Sequence, residues 1–248
     1  MRPEARSDLC RYTTHAVYYR GDDLVRDLIG KVSFVDVFFR QAFRRALSEG
    51  ERRVVDAVLV TLMEHGLTPS AIAARMVYSS SPENIQAGVA AGLLAVGSRF
   101  VGTMEDAAVL LQRIVDAQDA RAEAESIAQE RRKRREAVPG FGHHLHKPDD
   151  PRAGALLDLA KETGVAGRFA EALRLLAAEV DGAAGRHITI NATGAVAAVL
   201  GDIGVPVRLM RGFAVLSRTA GLIAHIAEEQ VDPTDRFIWD LVDGSLSR

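Results

Sequence analysis

The run Val138-Pro139-Gly140-Phe141-Gly142-His143-His144-Leu145-His146-Lys147-Pro148-Asp149-Asp150-Pro151-Arg152 holds more reactive chemistry than any other stretch of the chain. His143 is the side-chain type that titrates near neutrality, so it can give or take a proton. Arg152 offers a planar fork that grips a carboxylate with two hydrogen bonds. Lys147 adds a second cation nearby. Gly140 and Gly142 lack a Cβ, which lets the backbone approach a bulky ligand. Loops carry binding and catalytic groups more often than cores do. His143, His144 and His146 stand close together, but a single loop at those offsets is not expected to turn all three inward. No metal site is expected.

The elements that must position this loop read as helices. Ser33 suits the N-cap of a helix from Phe34 to Leu47. Ser48-Glu49-Gly50-Glu51 reads as a capping box before Val54, Val55, Val58, Leu59 and Leu62, with a stop at Gly66. Pro69 and Pro82 would fill first helical turns behind Thr68 and Ser81. A small-residue segment, 87–97, would pack closely on a neighbour. A helical pattern runs from Met104 to about Ala137 and ends in Arg131-Arg132-Lys133-Arg134-Arg135. Further helices are expected over 153–163, 167–180, 192–202 and 207–229. In the tail, Trp239, Ile238, Leu241 and Val242 should dock a short helix on the body. The fold class is all-α.

Composition narrows the function classes. The 248 residues give one large or two small domains, 48% hydrophobic and 26% charged, as in ordinary soluble proteins. A net charge of -2 gives no global pull toward nucleic acid or a membrane surface. The Arg131–Arg135 run has no interleaved aromatics, so no nucleic-acid partner is expected. No segment is apolar enough to span a bilayer, and Cys10, the single cysteine, suits a reducing cytoplasm.

The loop resembles the second active-site motif of the citrate synthase superfamily, roughly Pro-Gly-Phe-Gly-His, then Lys, then Asp-Pro-Arg. Tyr19-Arg20-Gly21 with Asp27-Leu28-Ile29 is similar to the family's opening, and Ser217 to His225 to its late "R-x-x-G-x-x-A-H" helix. The matches keep the family's order from about Tyr19 to about Glu229. Short citryl-CoA lyases and the citrate-synthase-homology module of ATP-citrate lyase are the nearest in pattern. The resemblance implies one citrate-synthase-like unit over 1–248 and an intertwined homodimer. Its large domain would comprise 1–135 and 204–248, and its smaller mobile domain 136–203. It also implies making or cleaving a carbon–carbon bond between acetyl-CoA and oxaloacetate. A coenzyme A thioester is then the substrate.

Roles follow from the same resemblance. His143 matches the acid/base on the keto oxygen, and Arg152 and Arg218 match carboxylate clamps. His65, within His65-Gly66-Leu67-Thr68-Pro69-Ser70, matches a histidine that contacts the keto acid. His225 matches the late-helix histidine, which could equally be a hydrogen bond between helices. Val138, Pro139, Gly140, Phe141 and Gly142 match the loop around adenine, and Lys147 could meet a phosphate. The Arg131–Arg135 run could add phosphate contacts or could simply be a solvated helix end. A third clamp has no clear match, with Arg236 and Arg211 the nearest candidates.

Two positions depart from the family. Phe100 stands where the enolate-stabilising histidine belongs, and Thr193 where the catalytic aspartate belongs. Losing an oxyanion donor costs about 3–4 kcal/mol of barrier, and losing a general base roughly 10²–10⁴-fold in rate. Arg99 could hold the enolate and Glu105 act as base, with Asp106, Asn191 and His187 as further substitutes. Three readings stay open: a citryl-CoA lyase or citrate synthase, a related enzyme with other acyl or keto partners, and a silent CoA- or dicarboxylate-binding protein.

Overall fold

The first described residues form short strands, a local departure from the all-α reading that the remaining elements bear out. Strands β1 (Cys10–Tyr12), β2 (Val17–Tyr19) and β3 (Asp22–Asp23) make a small antiparallel sheet in sequential order. Arg20 and Gly21 turn the chain between β2 and β3 with φ of 47° and 101°, the left-handed region that glycine enters freely. Arg20 is held there by Asp8 and by the carbonyl of Gln41, each at 2.9 Å. Asp23 then caps a short helical turn, Leu24–Leu28. The computed structural model describes residues 7–97 and 102–246, and beyond this sheet the described residues form helices and loops.

Helix α1 (Phe34–Phe43) starts at the Ser33 cap and stops early, because Arg44 takes a left-handed conformation at φ 58°. Helix α2 (Glu49–Met63) carries the expected capping box between Ser48 and Glu51. Pro69 opens α3 (Pro69–Ser80) as expected. Pro82 does not open a helix: Ser81 ends α3, and α4 (Ile85–Leu94) begins after Asn84. The small residues of α4 serve this chain's own packing. A Cβ on Gly92 would lie 2.9 Å from the Ser70 carbonyl, and one on Gly88 3.0 Å from that of Ala74.

The long helix expected from Met104 is two helices, α5 (Gly102–Asp116) and α6 (Ala120–Arg134). Asp119 breaks it by accepting the amides of Arg121 and Ala122 as an N-cap. Helices α7 (Pro151–Glu162), α8 (Arg168–Ala184), α9 (Ala192–Asp202), α10 (Val207–Glu229) and α11 (Asp235–Ser245) follow. Helix α9 is small and apolar on all sides, and it is buried along almost its whole length. It packs against α5, α7 and α8, so residues 136–203 share one hydrophobic core with α2 and α5.

One expectation fails at the tail. Helix α11 buries none of its residues, and Phe237, Trp239, Leu241 and Val242 are all exposed. It touches α3 and half-buries Ile238, but the rest of its apolar face is not covered by the described residues. Among the described residues no helix is long and apolar enough to cross a membrane.

Candidate active site

Five helices and the loop before α7 converge on one cleft. Helix α2 and the turn after it supply Thr61, Glu64 and His65, and α5 supplies Thr103 at its start. The loop before α7 brings His143, α7 brings Arg152, α9 brings Asn191 and Thr193, and α10 brings Arg218. The space is about 220 Å³. That suits a small acid and falls below the roughly 300–1,000 Å³ of pockets that bury larger ligands.

Asp150 organises the centre. It is 1% exposed and caps α7, accepting the Arg152 amide at 3.1 Å. Its carboxylate also takes Nε and Nη2 of Arg152 at 3.0 and 2.8 Å and the Ala192 amide at 3.1 Å. Burial opposes ionisation, but Arg152 and these amides outweigh it and hold the Asp150 carboxyl below its usual range. One residue thus ties α7 to α9 and aims Arg152 into the cleft. Asp before Pro at a helix start is a sequence-legible cap, although its second role in aiming Arg152 is not.

His143 accepts the amides of Leu145 and His146 on Nδ1, at 3.2 and 3.0 Å. That assigns the proton to Nε2. Burial, then His146 and Arg152, disfavour the imidazolium and lower its pKa. Nε2 lies 3.3 Å from Nη2 of Arg152. Both are donors in this tautomer, so neither satisfies the other, and an oxygen of a bound acid is an acceptor suited to both. His65 stands beside them, its ring centre 6.3 Å from that of His143. Burial and the charges of Arg152 and Arg218 keep His65 neutral-leaning, its pKa lowered.

Arg218 is mostly buried, its side chain 13% exposed, and its Nη1 has no hydrogen-bond partner. Burial lowers its pKa too. An unspent guanidinium donor beside a cleft fits a ligand carboxylate. Across the cleft Thr193 donates to Asn191 Oδ1 at 2.7 Å and accepts from Thr103 at 3.4 Å. Asn191 in turn donates to the Gly142 carbonyl at 3.0 Å. This network is neutral, and Glu64 is the one carboxylate among the described lining residues.

A second trench begins where the first ends. Gly142, His143, Lys147, Arg186 and His187 line its cationic part. Val138, Phe141, Ala183 and Ile188 line its apolar part, with Arg132 at the rim. The two parts share Gly142, Arg186 and Ile188. Arg186 follows the left-handed C-cap Gly185 of α8, and sequence reasoning missed it. Phe141 bridges Ile190, and the Gly142 amide donates to the Thr189 carbonyl at 2.7 Å, so the loop is stitched to the segment before α9.

Other sequence candidates fall elsewhere. Glu105 is ion-paired to Arg211 at 2.5 Å and does not line the cleft. His225 sits behind Glu64, hydrogen-bonded between helices. The freedom of Gly140 is spent on packing, since a Cβ there would lie 2.9 Å from Gly194 Cα. Arg99 and Phe100 lie outside the described residues. The histidines do converge in part: His143, His146 and Asp150 place ligand-type atoms within 4.8 Å of one another. The Asp150 carboxylate is nevertheless already filled by Arg152, which a cation would have to displace.

Comparison with known proteins bears on the fold that carries this cleft. The family profile "Citrate synthase, C-terminal domain" matches residues 9–239. The solved citryl-CoA lyase of Hydrogenobacter thermophilus is 34% identical, with a TM-score of 0.84 over 92% of this chain and 88% of that one. The ATP citrate lyase of Methanothrix soehngenii, solved with citrate and coenzyme A, is 22% identical. Its TM-score is 0.79 over 93% of this chain and 40% of that one, a likeness of fold. A Mycobacterium bovis relative that carries a citrate synthase name is 27% identical over 243 residues, 91% of this chain. The chain spans only 62% of that relative's length.

Proposed function

This chain belongs to the citrate synthase family, and on that premise we propose that its cleft makes or cleaves the carbon–carbon bond joining acetyl-CoA to oxaloacetate, as a citryl-CoA lyase or citrate synthase. The observation that carries this reading is the convergence of His143 Nε2–H and Arg152, 3.3 Å apart, beside Arg218 with its unspent donor. Nε2–H faces the oxygen that is a ketone before the bond forms and a hydroxyl afterwards. Arg152 and Arg218 take carboxylates of the keto acid or of citrate, with His65 against the same ligand. Lys147 and Arg186 meet phosphates of coenzyme A, and the apolar trench around Val138 and Phe141 takes adenine. Arg99 stabilises the enolate in place of the family histidine. The enzyme works as a homodimer.

The test is a thiol-release and keto-acid assay in both directions, with citryl-CoA for cleavage and acetyl-CoA plus oxaloacetate for synthesis. Turnover that disappears in His143→Ala supports the reading. Unchanged activity in Arg99→Ala removes that residue from it. Thr193, whose hydroxyl is no base near neutral pH, favours one second reading: a protein that binds coenzyme A or a dicarboxylate without turnover. Binding of both ligands with no product in either direction would establish it.

A further inference from the structure

Behind the cleft lies a buried charge relay that the proposed reaction does not use. Arg75 on α3 and Glu229 on α10 pair at 2.8 Å, each side chain 1% exposed, and Arg75 also reaches Glu228. Nε of Arg75 donates to Nδ1 of His225 at 3.0 Å. The proton of His225 is therefore on Nε2, which donates to Glu64 at 3.0 Å. Glu64 also accepts the His65 amide at 2.9 Å and that of Gly66. Its Oε2 stands 3.9 Å from Nη1 of Arg218, a long ion pair outside hydrogen-bond reach, and that Nη1 has no hydrogen-bond partner.

Two carboxylates thus compete for one guanidinium: that of a bound acid and that of Glu64. A small side-chain rotation would bring Glu64 into direct contact with Arg218 and fill the seat. We propose that His225, fixed by Arg75, is a positioning residue that holds Glu64 back from Arg218 and keeps this guanidinium open to a substrate carboxylate. The inference rests on the reading of Arg218 as a carboxylate clamp.

Citrate titrations on wild type, His225→Leu, Glu64→Gln and the double variant test it. His225→Leu should weaken citrate about tenfold, the size of coupling found between contacting groups. In the Glu64→Gln background the same change should have little effect, because an amide cannot neutralise Arg218. Equal weakening in both backgrounds, or none in either, overturns the proposal. Phenylglyoxal modification of Arg218, followed by mass spectrometry, needs no substrate. It should slow in His225→Leu and recover in the double variant. If citrate fails to bind wild type while that pattern holds, the clamp reading falls and the positioning role stands. A modification rate blind to His225 overturns the role itself. Should His225→Leu not fold, Arg75→Lys keeps a charge opposite Glu229 while releasing His225, and the same comparisons apply.

Discussion

At the scale of single residues, the reactivity of His143 is set by two amides that occupy Nδ1 and leave Nε2–H as the only working edge. His143→Ala should lower kcat by about 10²–10⁴-fold, the usual contribution of a positioned acid or base. Because burial, His146 and Arg152 lower its pKa, the neutral form persists below the ordinary imidazole value. Activity should therefore hold down to pH of about 6.5 and fall only below it. An acid limb centred above that value in a pH–rate profile would contradict the assignment. Asp150 carries the structural load of the same site. Asp150→Ala strips a buried ion pair from Arg152 and should cost about 3–5 kcal/mol in urea denaturation.

At the scale of elements, the site depends on how closely the loop before α7 meets the start of α9. A Cβ on Gly194 would lie 2.5 Å from the Gly140 carbonyl. Gly194→Ala should thus destabilise by about 1–3 kcal/mol through overpacking. Gly182→Ala in α8, with nothing within 4 Å, should be stabilising by up to about 1 kcal/mol in the same melts. The segment before α9 is also pinned by His187, which bridges Asp181 at 2.7 Å and Asp149 at 3.0 Å. Those carboxylates raise its pKa. The stability it contributes is present below the ordinary imidazole value and lost as pH rises through the raised one. His187→Gln should flatten that alkaline decline in Tm; an unchanged slope would show that the bridge contributes nothing.

At the scale of the molecule, α11 is an amphipathic helix with most of its apolar face exposed, Phe237, Trp239, Leu241 and Val242 among it. Trp239 is the only tryptophan and is 62% exposed. If the chain dimerises through this face, its emission should shift to shorter wavelength as concentration rises, in step with the mass from sedimentation. A dimer whose Trp239 emission stays that of a solvated indole would place the interface elsewhere.

The sequence by itself determined most helix starts, because a cap and the apolar period behind it act within a few residues: Ser33, Ser48 and Pro69 all open helices as read. It also marked His143 and Arg152, whose residue types carry their chemistry in any fold, and the family resemblance added Arg218; all three line one cleft. Where local signals compete, it misled. Ser81-Pro82 reads as a start but ends α3, and a polar stretch hides the break at Asp119. Only the tertiary structure decided what depends on partners distant in sequence. Asp150 meets Ala192 across 42 positions. Glu105 is engaged by Arg211 rather than by the cleft, and Glu64 is held by His225, 161 residues away. Such pairings are set by which polar groups find one another once the core has closed, and no local pattern records them.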